Sequence, residues 1–199
     1  MADERVDEVR GLIGRSDARI LITSCGSPYF LGLATATLWR EKLGMEVAVA
    51  PASEVMLFPH ATLPDEGNPF LVIATRSGET TETVRALEAF SARFPGRAVV
   101  IGCRPDTALE EMADVPITIP GAYEDVIPQT RSFGSMYTAA RLAGEEKLAS
   151  SLESLPDILP DLLHRWEIEV RSMAEEDWDS AAYLGGGPLY GIATEGASS

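Results

Sequence analysis

The chain has 199 residues, and its acidic side chains outnumber the basic ones by 31 to 16, which gives a formal net charge of −15. A charge of this sign repels nucleic acid and anionic membrane surfaces, so neither is expected as a partner. Apolar residues make up 45% of the chain, enough for the core of one α/β domain and an appendage. No apolar run reaches transmembrane length, and the first residues do not resemble a signal peptide. Two cysteines, Cys25 and Cys103, fit a reducing compartment without disulfides, so we expect a soluble cytoplasmic protein.

Short apolar runs alternate with segments of helical spacing over residues 1–148. The predicted strands are 19–23, 46–50, 71–74, 97–103 and 115–119. The predicted helices are 6–13, 29–43, a short piece ending near residue 59, one ending near residue 93, 107–112 and 129–148. Strands that alternate with helices in this way predict an α/β fold with a five-stranded parallel sheet and right-handed crossovers.

The chain changes character after this domain. Residues 149–180 are rich in leucine and acidic, and we interpret them as a helical connector broken at Pro156 and Pro160. The following segment, up to about residue 191, has the pattern of a strand and a glycine-rich turn, and a helix is expected to begin near residue 192. A strand and half a helix cannot bury their own apolar faces. Residues 181–199 therefore either add to the first sheet or begin a second module that is truncated.

The stretch 71–83 carries the main functional signal. Four apolar residues are followed by a turn rich in hydroxyl groups, Thr75-Arg76-Ser77-Gly78-Glu79-Thr80-Thr81, and then by a helix. A turn after a parallel strand lies where such sheets bind ligands, and a helix N-terminus offers N–H groups and a positive dipole end to an anion. Gly78 allows the backbone to approach that anion closely. The pattern indicates a phosphate site, or alternatively a plain N-cap made by Ser77 or Thr80.

Four motifs in order over residues 19–145 resemble a known family. They are Ser24-Cys25-Gly26-Ser27-Pro28-Tyr29, Ala52-Ser53-Glu54, the turn 75–83, and Glu124 followed by Thr130-Arg131-Ser132-Phe133. The chain is similar to the SIS (sugar isomerase) domain family of phosphosugar isomerases and deaminases, which includes the isomerase half of glucosamine-6-phosphate synthase. The resemblance implies a three-layer α/β/α sandwich of flavodoxin-like type, a hexose 6-phosphate ligand, no cofactor and a homodimer.

Site residues follow from the resemblance position by position. Those that match the phosphate loop are Thr75, Arg76, Ser77 and Thr80; those that match the first sugar-contacting turn are Cys25, Gly26 and Ser27. Ile127 falls where a backbone group of the family touches the sugar, and Glu195 matches an acidic residue early in the first helix of a second module. Arg76 stands where the synthase has an uncharged amide, and we hypothesise that it pairs with the phosphate. The alternative is an arginine that faces solvent or pairs with Glu79 or Glu82.

Proton transfer between C1 and C2 of an open-chain sugar requires a well-placed base. Glu79 is expected to be a helix N-terminal charge, whereas Glu124 could line the site or serve as a structural loop acid. Glu195 could contact the ligand or act as a helix-end charge. The resemblance places the catalytic glutamate, histidine and lysine of synthase-like members beyond residue 199. We therefore expect this chain to bind a phosphosugar weakly without isomerising it.

Neither histidine has neighbours at metal-ligand spacing, so no metal site is expected. Two functions remain open at this stage. The first is a sugar-phosphate isomerase or deaminase whose complete form has two modules. The second is a binding module that senses phosphosugars and regulates a partner.

Overall fold

A computed structural model describes residues 2–13, 19–126, 129–145 and 147–198. The strands are β1 (Arg19–Ser24), β2 (Glu46–Pro51), β3 (Pro69–Thr75), β4 (Ala98–Gly102) and β5 (Val115–Thr118). The helices are α1 (Ala2–Ile13), α2 (Ser27–Leu43), α3 (Ala52–Leu57), α4 (Pro59–Thr62), α5 (Thr81–Ser91), α6 (Ala108–Met112), α7 (Arg131–Gly144), α8 (Leu148–Leu152), α9 (Leu155–Ala174) and α10 (Pro188–Ser198). All five predicted strands of the first domain are confirmed to within about two residues at either end.

The sheet is parallel throughout, with the strand order β2-β1-β3-β4-β5. β1 pairs with β3 from Arg19 opposite Pro69 to Thr23 opposite Ile73. The chain leaves β1 toward β2 on one side and leaves β3 toward β4 on the other, so the strand order reverses between β1 and β3. In sheets of this kind a crevice opens at that point, beyond the carboxyl ends of the two strands.

Helices cover both faces of the sheet, as expected for a three-layer α/β/α sandwich. One apolar cluster joins one face of the strands to α1, α2 and α7, and a second cluster joins the opposite face to α3, α5 and α6. Every residue of β3 is buried, because this central strand has helices on both sides. The same pattern explains why β3 reads as a continuous apolar run in the sequence.

Two helices on one face are fixed together by an indole. Trp39 of α2 is fully buried and donates from Nε1 to the carbonyl of Ala140 in α7 at 3.1 Å. A Cβ at Gly144 would lie 2.5 Å from the same nitrogen, so the end of α7 requires a glycine there. This contact sets the position of α7, whose N-terminus borders the crevice.

Three details of the C-terminal third differ from the prediction. The helix expected over 129–148 ends at Gly144, and the short helix α8 begins at Leu148. The connector is not broken at Pro160, which lies inside α9. Pro160 costs α9 one backbone hydrogen bond, because proline has no N–H to donate to the carbonyl four residues earlier. Pro156 lies in the first turn of α9, where proline is favoured.

The strand predicted near 181–184 does not form. These residues are exposed and carry no strand pairing, and Tyr183 instead lies against Gly196 of α10. A strand is stable only when a neighbour satisfies its backbone groups, and within the described chain this segment packs along a helix.

No helix of the described residues is both long and apolar enough to cross a membrane.

Candidate functional site

The candidate site lies at the carboxyl ends of β1 and β3, where two turns face the crevice. The turn after β1 leads directly into α2 at Ser27, and the turn after β3 leads into α5 at Thr81. Both turns contain a glycine in the left-handed region, Gly26 with φ of 67° and Gly78 with φ of 70°. The strand order thus brings together two helix N-termini that are about fifty residues apart in sequence.

Thr75 shapes the turn after β3 from the inside. Its side chain is buried, and its Oγ1 accepts a hydrogen bond from the N–H of Gly78 at 3.0 Å. The carbonyl of Gly78 accepts from Leu109 at 3.2 Å, which ties the turn to the start of α6. A Cβ at Gly78 would lie 2.2 Å from Oγ1 of Thr107, so only glycine fits between the turn and this residue.

Glu79 also holds the turn against α6. Its Oε1 accepts from the N–H of Ala108 at 3.2 Å, within the first turn of α6. The sequence predicts a helix N-terminal charge at Glu79. In the structure this charge lies at the N-terminus of α6 rather than α5. Its carboxylate is therefore engaged by a neighbouring element.

Ser77 and Thr80 lie together at the start of α5. Their hydroxyl oxygens are 3.4 Å apart, and the N–H of Glu79 points at Ser77 Oγ over 3.4 Å. Thr80 is the N-cap residue of α5 but makes no capping hydrogen bond through its side chain. The plain N-cap considered for Thr80 is therefore not formed. The first N–H groups of α5 lack that acceptor, and the helix dipole favours an anion at this position.

The turn after β1 presents small groups to the same crevice. Cys25 is exposed, and Gly26 is the N-cap of α2 without a side-chain cap. Partial burial, helped by the charge of Glu82, raises the pKa of the Cys25 thiol, although a hydrogen bond from the Gly26 backbone opposes this shift. Cys25 therefore stays a neutral thiol at pH 7 and is not an activated nucleophile.

Ser24 was not predicted as a structural residue of this site. It is buried, and its Oγ accepts from the N–H of Ala74 at 3.1 Å, which joins the ends of β1 and β3. This bond fixes the spacing of the two turns. Its only sequence signal is a serine at the end of an apolar strand.

Arg76 reaches from the turn after β3 to the loop after β5. Its Nη1 donates to the carbonyl of Val126 at 2.5 Å. The ion pairs with Glu79 or Glu82 considered from the sequence are not formed, because a backbone carbonyl is the partner instead. Ile127, the other residue expected to contact the sugar from this loop, lies outside the described residues.

Glu124 binds the N-terminus of α7. Its Oε1 accepts from the hydroxyl and the N–H of Ser132 at 2.8 and 3.1 Å, and its Oε2 accepts from the N–H of Arg131 at 3.3 Å. Burial acts to raise the pKa of Glu124, but the hydrogen bonds from Ser132 and its neighbours outweigh burial and lower the pKa. A carboxylate held in this way is a weak base, so the geometry favours a structural role for it.

Cys103, at the end of β4, lies behind this loop. Burial and the charge of Glu124 raise the pKa of its thiol to about 11, and Arg76 partly offsets them. Its Sγ is 3.9 Å from the carbonyl of Ser132. This thiol is a packed core group.

Glu195 is carried by α10, which packs on α2. The contact is close at Gly191, where a Cβ would lie 2.4 Å from the carbonyl oxygen of Phe30. Glu195 follows one helical turn later and is partly buried. No strand end positions this residue, in contrast to the residues of the two turns.

The described residues contain no group of three or more histidine, cysteine, aspartate or glutamate side chains that could hold a metal ion. The groups that the two turns present are hydroxyls, backbone N–H groups and the guanidinium of Arg76.

Comparisons with known proteins identify the family of the chain. The family model of the SIS domain matches residues 13–145. A glutamine–fructose-6-phosphate aminotransferase (isomerizing) from Aquifex aeolicus is 28% identical over 96% of the chain, which covers 34% of that protein. The corresponding protein of Gluconobacter oxydans is also 28% identical, and the chain covers 31% of it. The chain thus spans about a third of the length of these curated relatives.

Solved structures show the same fold. Tagatose-6-phosphate ketose/aldose isomerase from Escherichia coli superimposes with a TM-score of 0.84 at 20% identity, covering 98% of this chain and 58% of that one. Glucosamine-6-phosphate deaminase from Thermotoga maritima gives a TM-score of 0.71 at 24% identity, over 98% and 63% of the two chains. With the family model matched over residues 13–145 and its fold shared with these structures, the chain belongs to the SIS domain family.

Proposed function

We propose that this chain binds a hexose 6-phosphate, with the phosphate at the start of α5. The observation that carries the proposal is the uncapped N-terminus of α5 beside the hydroxyls of Ser77 and Thr80. Backbone N–H groups, hydroxyls and a helix dipole together suit a phosphate monoester. Glu79 would compete with an anion there, but its carboxylate is bound to α6.

The sugar would lie across the crevice, between the turn after β1 and the loop after β5. Cys25 and Ser27 then offer small polar groups, and Gly26 leaves room for the ligand to approach the backbone. Arg76 would serve two purposes: one nitrogen holds the loop after β5 through Val126, and the remaining N–H groups can pair with phosphate oxygens. Gly78 and Thr75 would keep the turn in shape without touching the ligand.

For the complete protein we propose aldose–ketose isomerisation or deamination of an aminohexose or ketohexose 6-phosphate. The support is that relatives and structural neighbours carry such names, among them the isomerase from Escherichia coli and the deaminase from Thermotoga maritima. Within this chain Glu124 would position the loop after β5 rather than remove a proton, because its carboxylate caps α7. Glu195 would contribute from α10 as a ligand contact.

The second candidate is a phosphosugar sensor without catalysis. It is favoured by one observation, namely that Glu79 and Glu124, the two acids of the site loops considered as bases, both cap helices. The two candidates share the same binding step and differ in turnover. We also propose a cytoplasmic location and a homodimer, the latter supported by the apolar residues exposed on α9.

The binding step is tested by titration calorimetry with glucose 6-phosphate and fructose 6-phosphate, and with the unphosphorylated sugars as controls. Thr80→Val removes one donor to the phosphate, and a hydrogen bond to a charged group contributes about 1.5–3 kcal/mol, so the affinity should fall at least about tenfold. Thr62→Val changes an equivalent hydroxyl on α4, away from the crevice, and should leave the affinity unchanged. Equal binding by the wild type and Thr80→Val, or equal binding of phosphorylated and free sugar, would contradict the proposal.

A further inference from the structure

Three arginines hold the loop after β5. Arg76 donates to the carbonyl of Val126, and Nη2 of Arg131 donates to the carbonyl of Tyr123 at 2.7 Å. The guanidinium carbon of Arg104 lies 5.9 Å from the centre of the Tyr123 ring. The three side chains come from the ends of β3 and β4 and from the start of α7, so three separate elements direct positive charge to one short stretch of loop.

The charges of these arginines are not balanced by carboxylates. In the part of the chain that the structure describes, seven other arginines form ion pairs within 4.0 Å; they are Arg5, Arg10, Arg19, Arg85, Arg93, Arg141 and Arg171. The three around the loop contact carbonyl oxygens and an aromatic face instead. Such contacts leave the guanidinium charge available to an anion.

The acids of the loop itself do not neutralise them. The carboxylate of Glu124 accepts from Ser132 and from the backbone N–H of Arg131, and the hydrogen bonds that lower its pKa come from α7. Asp125 is exposed and forms no ion pair with a described residue within 4.0 Å. The loop therefore combines two acids and three arginines without pairing them.

The position of Arg131 is unfavourable for the helix it begins. It is the first residue of α7, and a cation at the positive end of a helix dipole is destabilising. Arg131 also directs its guanidinium back to the loop. A residue that opposes local preference in an otherwise consistent element is typical of a functional position.

We propose that Arg104 and Arg131, which both contact Tyr123, form a second anion-binding position at the far end of the sugar site. The ligand class would be a hexose 6-phosphate whose other end carries an acidic group, a carboxylate or a second phosphate. This inference rests on the proposed function, because binding of the 6-phosphate at α5 determines where the other end of the sugar lies. The side chain of Arg76 reaches from the turn after β3 to the loop after β5. The distance from C6 to C1 of an open-chain hexose is similar to the length of that side chain, so a sugar with its phosphate at the turn could reach the loop with C1.

The test compares ligands that differ only at that end. Titration calorimetry at fixed ionic strength measures binding of 6-phosphogluconate, of sorbitol 6-phosphate as its neutral counterpart, and of fructose 1,6-bisphosphate. We expect 6-phosphogluconate to bind at least about tenfold more tightly than sorbitol 6-phosphate, because its carboxylate gains a charge-assisted hydrogen bond. A similar gain for the bisphosphate would define the position as a general anion site, and a gain for only one of the two would identify the acidic group it accepts.

The variants assign the effect to its residues. Arg104→Gln and Arg131→Gln should each remove most of the preference for the acid while leaving the affinity for sorbitol 6-phosphate within about twofold, which also shows that the variants are folded. Arg165→Gln, on the exposed face of α9, removes the same charge elsewhere and should change neither value. Equal binding of the acid and the hexitol phosphate, or a preference retained in both loop variants, overturns the inference and leaves the proposed function intact. Failure of sorbitol 6-phosphate and of the hexose phosphates to bind at all overturns both.

Discussion

At the scale of single residues, the site separates groups that build it from groups that face outward. Thr75 and Ser24 are buried and accept hydrogen bonds from backbone N–H groups of Gly78 and Ala74. Thr107 is also buried, but it caps α6 and packs against Gly78. Ser77 and Thr80 remain at the surface of the crevice with hydroxyls that no cap uses. Gly78 lies between these two sets, because its left-handed backbone forms the turn and its missing side chain makes room for Thr107.

Gly78→Ala should therefore damage both stability and binding. The new methyl group would meet Thr107 at 2.2 Å in a backbone conformation that disfavours any side chain, so we expect a loss of at least about 2 kcal/mol in the free energy of unfolding. Binding of glucose 6-phosphate should fall as the turn shifts. Both are measured by urea denaturation and calorimetry.

Gly134→Ala provides the matched control, because the added methyl group would meet no atom within 4 Å beyond the neighbouring residues and backbone of α7 itself. Alanine in a helix is favoured over glycine, so this variant should be neutral or up to about 1 kcal/mol more stable. A Gly78→Ala protein as stable as Gly134→Ala would show that the turn adapts easily and that the packing on Thr107 is unimportant.

The residue scale also marks the limit of prediction from sequence. Ser77 and Thr80 could be assigned to the crevice because a turn after a buried parallel strand has a fixed place in the sheet. Thr107 and the attachment of Glu79 to α6 could not, because they depend on how two crossovers pack about thirty residues apart. Likewise, the contact of Arg76 with Val126 depends on a loop conformation that no local pattern determines.

At the scale of elements, strands covered by helices on both faces could be predicted from the sequence. The conformation of residues 181–184 could not, because it depends on whether a neighbouring strand is present. β1, β3 and β4 are continuous apolar runs because both faces are buried. The segment near 181–184 has the same apolar character but finds no strand beside it, so it lies along α10. Its apolar pattern suggested burial, but all four residues are exposed, and its secondary structure was decided by tertiary contacts.

The packing of α10 on α2 leads to a prediction at this scale. A Cβ at Gly191 would lie 2.4 Å from the carbonyl oxygen of Phe30 and 2.7 Å from the nitrogen of Ala34. Both are backbone atoms of a buried helix and cannot move aside, so Gly191→Ala should separate α10 from α2. We expect amide exchange in α10 to accelerate about tenfold or more, with protection of the sheet retained.

Gly186→Ala is the control for this experiment, since nothing lies within 4 Å of its added methyl group. Unchanged exchange in α10 of the Gly191 variant would mean that the two helices are not held by this contact. Exchange is preferable to global denaturation here, because the sheet is expected to remain folded in both variants.

At the scale of the whole molecule, a well-packed α/β/α sandwich carries a helix, α9, whose residues are exposed along its whole length. Along α9 an apolar stripe recurs at intervals of three, four and seven residues, and its members are partly exposed: Leu155, Leu159, Leu162, Trp166 and Met173. The rest of the molecule is strongly acidic. Two such chains would therefore attract through this stripe and repel through their net charge of −15.

The proposed homodimer can be tested through this balance. If α9 forms the interface, Trp166→Glu places a charge in its centre and should weaken association by at least about 2 kcal/mol, or about thirtyfold in the dissociation constant. Added salt should strengthen association of the wild type, because it screens the repulsion between acidic surfaces without weakening apolar contact. Analytical ultracentrifugation over a range of protein and salt concentrations measures both effects.

Ile168→Glu is a stringent control, because Ile168 is on the same helix and 61% exposed, compared with 54% for Trp166. At about 100° per residue it lies about 200° around the helix from Trp166, on the polar side. It should leave the dissociation constant nearly unchanged if the stripe is the contact. Equal weakening by both substitutions would indicate that net charge alone governs association, and a wild type that stays monomeric at high salt would remove α9 as a dimer interface.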